Sequence, residues 1–301
     1  MSIILEKIID YVLKDLTALG ELGDEEFKKG LIAYKNKYTM SSEPPKKLIR
    51  YMDIKRGMVE GGIFYTAQDK YFKSNKKVLF IHGGGFFAEA FSLHWDFCRR
   101  LSAETGCEVY FPQYPLVPES SAEKSHDMLL EVYKRLLKNC APEDITFVGD
   151  SAGGTLCLSL SMLARDKGLP VCNNLVLISP GFIISNVTEE ERRRYEYIKK
   201  RDHIIGNFPI DKVSVLWRGD LSPEDYRADA TKGSLDKLPP ITMFSGTHDI
   251  LNIPARRLVQ KMKREGHPYC YKEKKQGIHD YALGKKSAEE FGLIVSRVKE
   301  N

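Results

Sequence analysis

Short apolar runs and helix-period stretches take turns along most of the chain. Val78 to Ile81, Glu108 to Phe111, Ile145 to Val148, Leu175 to Ile178, Ile241 to Phe244 and Tyr269 to Lys272 are brief and suit strands. Between them an apolar face recurs at helical spacing, at Leu93 to Thr105, Ala122 to Lys138, Thr155 to Arg165 and Pro254 to Glu265, with a last helix from Lys285 to Lys299. Strands joined through helices return in the same direction, so the rhythm predicts an α/β fold with a mostly parallel sheet flanked by helices. Ahead of it, Leu48 to Lys55 and Met58 to Tyr65 alternate as two antiparallel strands joined around Arg56 and Gly57.

The rhythm fails at two places. Helical patterns at Ser2 to Leu19 and Asp24 to Lys37 end at Glu43, Pro44 and Pro45, so residues 1–46 read as a helical flap. The stretch between Ser179 and Ile241 is too long for an ordinary crossover. It carries a charged helical pattern from Thr188 to Lys200, then Phe208, Trp217 and an exit at Pro239 and Pro240, and reads as a lid over the strand ends. Trp217 and Phe208 are expected to form the lid's own small core, and Glu189 to Arg194 a solvated helix face.

Composition narrows the class. A chain of 301 residues with 42% hydrophobic content buries one large core. Its formal net charge of +5 is spread among interleaved acids and bases, which gives nucleic-acid binding no support. The six cysteines are scattered without a C-x-x-C pair and read as reduced core thiols, pointing to the cytoplasm. Charged residues interrupt the apolar positions of Met1 to Leu19, which makes an amphipathic helix rather than a signal peptide or membrane span. No internal repeat is present.

The chemistry begins at Gly149, Asp150, Ser151, Ala152, Gly153, between the strand at Ile145 to Val148 and the helix that follows. Small residues on both sides let a strained strand-to-helix turn push the Ser151 hydroxyl into the open. A serine needs a base, an orienting acid and oxyanion donors before it is a nucleophile. His82, Gly83, Gly84, Gly85 follow a buried strand, where glycines bring main-chain N–H groups close to a ligand; Gly246, Thr247, His248, Asp249 end another, and Gln276, Gly277, Ile278, His279 precede the last helix. Serine, aspartate, histidine is the chain order of the α/β-hydrolase fold. His279 is preferred over His248 as base, because a residue adjoining Asp249 on an extended loop end points elsewhere. His82 reads as a residue that fixes the glycine loop, and His94, His126, His203 and His267 show no metal-ligand spacing.

From about Val78 to the C-terminus the chain resembles the hormone-sensitive-lipase-like branch of the α/β-hydrolase esterases. His82 to Phe86, Gly149 to Gly154, and Asp249 with Leu251 and His279 carry the resemblance. Tyr114 to Glu119 is similar to the family's tyrosine-to-glutamate segment, with Pro115 and Val117 replacing arginine and alanine. The resemblance implies an α/β-hydrolase fold in which Ser151 is nucleophile, His279 base and Asp249 its orienting carboxylate, with the N–H groups of Gly83, Gly84 and Ala152 as oxyanion hole. Gly85 and Phe86 are candidate substrate contacts, and Phe86 and Phe87 read equally as floor of an acyl pocket or anchors of the loop. Neither a metal nor an organic cofactor is required. In domain terms, residues 47–301 form the catalytic unit, with a cap built from residues 1–46 and an insertion at about 181–238. Two departures stand out: Asp280 and Tyr281 follow His279, placing a carboxylate that raises the base's pKa, and Ile253 replaces a second acid often found after the triad aspartate.

These features predict a serine carboxylesterase acting on small short-acyl esters through an acyl-enzyme, with neither nucleic acid nor membrane as partner. Amide or formamide hydrolysis and carbohydrate deacetylation share the same acyl chemistry and differ only in a leaving-group pocket hidden in the lid. A small-molecule receptor without turnover is the remaining alternative, and the presence of His279 argues against it.

Overall fold

The computed structural model describes residues 15–38, 42–184 and 186–300. The helix expected from Ser2 to Leu19 therefore lies outside the described residues up to position 14, and residues 15–20 are helical. β1 (Met52–Val59) and β2 (Gly62–Asp69) lead into the six strands foreseen from the apolar runs: β3 (Lys77–Ile81), β4 (Glu108–Gln113), β5 (Ile145–Asp150), β6 (Asn174–Ile178), β7 (Ile241–Gly246) and β8 (Tyr269–Lys274). They form one sheet in the order β1-β2-β4-β3-β5-β6-β7-β8. β2 runs antiparallel to both β1 and β4, and every other pairing is parallel.

The helices are α1 (Asp24–Lys37), α2 (Ser92–Thr105), α3 (Ala122–Leu137), α4 (Ala152–Asp166), α5 (Glu189–Lys199), α6 (Ile210–Arg218), α7 (Asn252–Glu265) and α8 (Ala288–Lys299). Along β3, Leu79 and Ile81 enter the core on one face of the sheet and Val78 and Phe80 the core on the other; β6 divides in the same way. α3, α4 and α7 cover the first face, α2 and α8 the second. Being covered twice, β5 and β7 are buried at every position, which is why their sequences read as mainly apolar runs rather than as an alternation of apolar and polar residues. A fully buried side chain such as Phe80 contributes about 1.5–3 kcal/mol.

The first hairpin corrects the sequence expectation. Its turn is at Glu60 and Gly61, not Arg56 and Gly57, and Lys46–Arg50 is a 3-10 turn rather than strand. Gly61 supplies the left-handed φ of 86° that the turn requires. Gly57 instead sits mid-strand opposite Phe64, where a Cβ would overlap the ring.

The long insertion holds α5 and α6, the second of which the hydrophobic pattern did not disclose. α5 opens on a capping box, in which Thr188 Oγ1 accepts the Glu191 N–H and the Glu191 carboxylate accepts the Thr188 N–H. The charged face is not wholly solvated: Arg257 of α7 donates two hydrogen bonds to Glu191, each 2.7 Å, and Arg194 donates to Asn252 Oδ1 at 2.7 Å. The lid's supposed private core is likewise corrected. Trp217 stacks on Phe86 at 4.1 Å between ring centroids and Phe208 on Phe87 at 5.8 Å, so both belong to the main core. α1 packs beside α6, with an ion pair between Asp24 and Lys212, and Lys35 reaches across to the Val117 carbonyl.

Candidate active site

β5 ends at Asp150 and α4 starts at Ala152, leaving Ser151 to make the turn at φ 49° and ψ −121°. A side-chain-bearing residue held there stores of order 1–3 kcal/mol of strain. Backbone bonds hold it in place: the Ser151 N–H donates to the Ile178 carbonyl and its own carbonyl accepts from Gly181, both at 2.8 Å. Helix and strand approach so closely that a Cβ on Gly153 would overlap the Ile81 carbonyl. The Ser151 side chain is thereby pressed out at the carboxyl end of the sheet.

Asp249, after β7, and His279, on the turn after β8, arrive at the same point. His279 Nε2 lies 3.0 Å from Ser151 Oγ, and its Nδ1–H donates to Asp249 Oδ2 at 3.0 Å. The other Asp249 oxygen accepts the Leu251 N–H at 2.9 Å, so the carboxylate is fixed on both sides and fully buried. The rival residue, His248, sits on the adjoining turn with its main-chain N–H bonded to the Gly277 carbonyl.

Asp280 reaches the same ring. Its Oδ2 is 3.2 Å from His279 Nε2. Burial by itself would push the imidazole down, but Asp280, then Asp249 and more weakly Asp202, raise it to about 10. Asp280 is in turn pushed well above the carboxylate range by burial, opposed by His279 and reinforced by Asp150, Asp249 and Asp202. The carboxylate that follows His279 in the sequence thus reaches its ring, and this contact is the foremost charge that raises the imidazole.

The glycine loop lies opposite. Gly84, Gly85 and Ala152 border a cavity of about 230 Å³ together with Ser151 and His279, and a Cβ on Gly83 would meet Asp150 and the Ser151 side chain. Behind the loop, His82 Nδ1–H donates to the Gly83 carbonyl at 2.7 Å, and Tyr114, stacked on the same imidazole, donates its hydroxyl to the His82 carbonyl at 2.9 Å. Burial lowers His82 to about 4, so it stays neutral and serves as the loop's brace. Asp150 is bonded to His94 Nε2 at 3.0 Å; burial opposes its ionisation, yet His94 and His82 hold its carboxyl below the usual range.

Phe86 and Phe87 each border the cavity and each stack on an insertion ring. Phe208 and Val213 close the cavity from the insertion, and Leu16 and Tyr34 from the N-terminal segment. Two residues near the site escaped the sequence. Asp202, in the loop after α5, carried no local signal, and His94 was one helix histidine among several. Among the described residues no group of three His, Cys, Asp or Glu side chains is arranged for a metal ion, and no helix is long and apolar enough to cross a membrane.

Comparison with known proteins agrees with this architecture. An esterase of Acinetobacter venetianus is 29% identical over 189 residues, covering 62% of this chain and 61% of that protein. A triacylglycerol lipase of Mycobacterium tuberculosis is 28% identical over 207 residues, covering 68% of this chain and 42% of its own. The chain thus matches less than two thirds of the length of either relative. The crystal structure of a hormone-sensitive lipase from a metagenome library superposes with a TM-score of 0.76 at 18% identity, covering 96% of both chains. A family model described as the alpha/beta hydrolase fold matches residues 78–283, from β3 to the turn beyond His279, and the chain belongs to that family.

Proposed function

We propose that the protein is a serine carboxylesterase that hydrolyses small esters of short acyl chains through an acyl-enzyme. The line of hydrogen bonds from Ser151 through His279 to Asp249, 3.0 Å at each link, carries this reading. Ser151 Oγ bonds to the ester carbon as His279 Nε2 takes the hydroxyl proton, and Asp249 supports the imidazolium. That proton passes to the departing alcohol. Water then attacks the acyl-serine by the same route, His279 taking its proton and returning it to Ser151. Charge on the carbonyl oxygen is met by the N–H groups of Gly83, Gly84 and Ala152, of which Gly84 and Ala152 border the cavity. One such donor stabilises the transition state by about 3 kcal/mol.

Residues 1–46 and about 181–238 act in this scheme as one cap over a catalytic unit of residues 47–301, since Leu16 and Tyr34 share the cavity wall with Phe208 and Val213. Gly85 and Phe86 are substrate contacts. A cavity of about 230 Å³ is below the roughly 300–1,000 Å³ of drug-sized sites, which supports a short acyl chain. The six unpaired cysteines support a cytoplasmic setting. Neither step calls on a metal or an organic cofactor.

The experiment is labelling with a fluorophosphonate followed by peptide mass spectrometry, alongside turnover of p-nitrophenyl butyrate. Label on Ser151 with turnover is the expected result. Label elsewhere would remove Ser151 as nucleophile, and faster turnover of emulsified long-chain triglyceride than of a soluble butyrate ester would remove the short-chain preference.

A further inference from the structure

His279 Nε2 has two oxygen neighbours where an acyl-transfer base has use for one. Ser151 Oγ stands at 3.0 Å and Asp280 Oδ2 at 3.2 Å. Asp280 turns back to the ring because its own backbone is left-handed, φ 55° and ψ 24°, and its N–H is fastened to Ser179 Oγ at 3.1 Å. The two contacts compete. With a proton on Nε2 between them, the imidazolium cannot accept the serine proton; with the proton on Asp280, its O–H occupies the lone pair that Ser151 needs. The base is freed when that shared proton leaves, a step made easier when the Asp280 carboxylate gains another positive partner.

The cavity wall supplies none. Its described residues include no lysine or arginine. Asp150 faces the pair from the end of β5, Asp249 from the end of β7 and Asp202 from the loop after α5. Against these carboxyl groups stand His279 itself and His94, already bonded to Asp150. Asp280 Oδ1 is buried without a hydrogen-bond partner, a costly state for a carboxylate oxygen. The rings of Phe86, Phe87, Phe91 and Phe208 border the same cavity, and aromatic rings attract cations.

We propose that the substrate brings the missing charge: within the esterase reading above, the site takes esters that carry an ammonium group close to the scissile bond, seated between Asp280 and the aromatic wall. The incoming cation replaces the shared proton charge for charge. The proton passes to water, Asp280 pairs with the ammonium, and the neutral Nε2 receives the Ser151 proton as Oγ bonds to the acyl carbon.

The test compares kcat/KM for butyrylcholine and for its uncharged carbon analogue, 3,3-dimethylbutyl butyrate, in the wild-type protein and in Asp280→Asn and Asp280→Ala. The charged ester is expected to win by about tenfold or more in wild type, and the ratio to fall to about one in both variants. Equal rates in wild type, or a preference that survives in Asp280→Asn, would overturn the proposal. Should neither variant fold, choline must still inhibit wild-type hydrolysis of the uncharged ester more strongly than 3,3-dimethylbutanol does; equal inhibition also overturns it. Failure of the esterase reading looks different: no fluorophosphonate on Ser151 and no turnover of either ester.

Discussion

The Asp202 carboxylate of the insertion accepts the main-chain N–H of Ile250, the residue after Asp249, at 2.9 Å. Its other oxygen accepts the N–H groups of Ile204 and Ile205 at 3.1 and 2.9 Å. The insertion and the Asp249 loop are therefore one hydrogen-bonded unit, in which the segment that walls the cavity also steadies the carboxylate bonded to His279. Asp202→Ala orphans all three donors. A stability loss of about 1–3 kcal/mol in urea titration is expected, with kcat lowered by about tenfold. Because the Asp202 charge also supports the His279 imidazolium, the pH limb of the base should move lower as well. A variant that lost stability but kept its pH limb would make Asp202 a structural tie alone.

Ser151→Ala should abolish ester turnover, by about 10⁴-fold or more in kcat. Asp249→Asn keeps the shape of the side chain but offers an amide where Nδ1–H needs an acceptor, and should cost about 10⁴-fold in kcat through the wrong tautomer. Stopped-flow measurement with p-nitrophenyl butyrate separates the two: no burst from the first, a slow burst from the second.

The pH dependence follows from the His279 environment. Its imidazole, buried but ringed by Asp280, Asp249 and Asp202, lies at about 10 against an ordinary 6.5. A base must be unprotonated, so kcat/KM for an uncharged butyrate ester should climb from neutral pH towards about 10. Stability moves the opposite way. A folded pKa above the unfolded value stabilises fully below about 6.5 and loses that contribution as pH rises through about 10. Asp280→Asn removes the foremost charge that raises the base, so its activity limb should shift towards neutral pH. Activity that levels off near pH 7.5 in wild type would contradict the assignment.

How much of this was legible follows from where each signal resides. β3 to β7 announced themselves because both faces of the middle strands are covered, and the Ser151 elbow because close helix packing allows only glycine at 153. The hairpin turn slipped because an alternating pattern does not mark its own end, and Gly57 looks like a turn residue until Phe64 is seen lying over it. α6 escaped notice, since an amphipathic stretch after Phe208 and Pro209 resembled loop sequence. The Asp202 contact depends on a fold that brings position 202 to position 250, and the sequence holds no trace of such a meeting. Asp280 was visible as a neighbour of the base, but only its left-handed backbone shows that it returns to the same nitrogen.

In the proposed esterase, Phe208 is the residue expected to limit the length of the acyl chain. Its ring stacks on Phe87 and lies so close to Gly85 that a Cβ there would meet the ring edge at 2.6 Å, so it closes the cavity directly over the glycine loop. Phe208→Ala removes that closure and opens space continuous with the pocket. The ratio of kcat/KM for p-nitrophenyl octanoate to that for the butyrate should rise by about tenfold, as expected when several methylene groups worth about 0.8 kcal/mol each gain partial burial. Because the ring is only partly buried and joins the main core at its margin, the stability cost should be about 1–3 kcal/mol, below that of a central aromatic. An unchanged octanoate-to-butyrate ratio in a folded variant would mean that the acyl chain runs elsewhere, towards Tyr34 and the N-terminal segment.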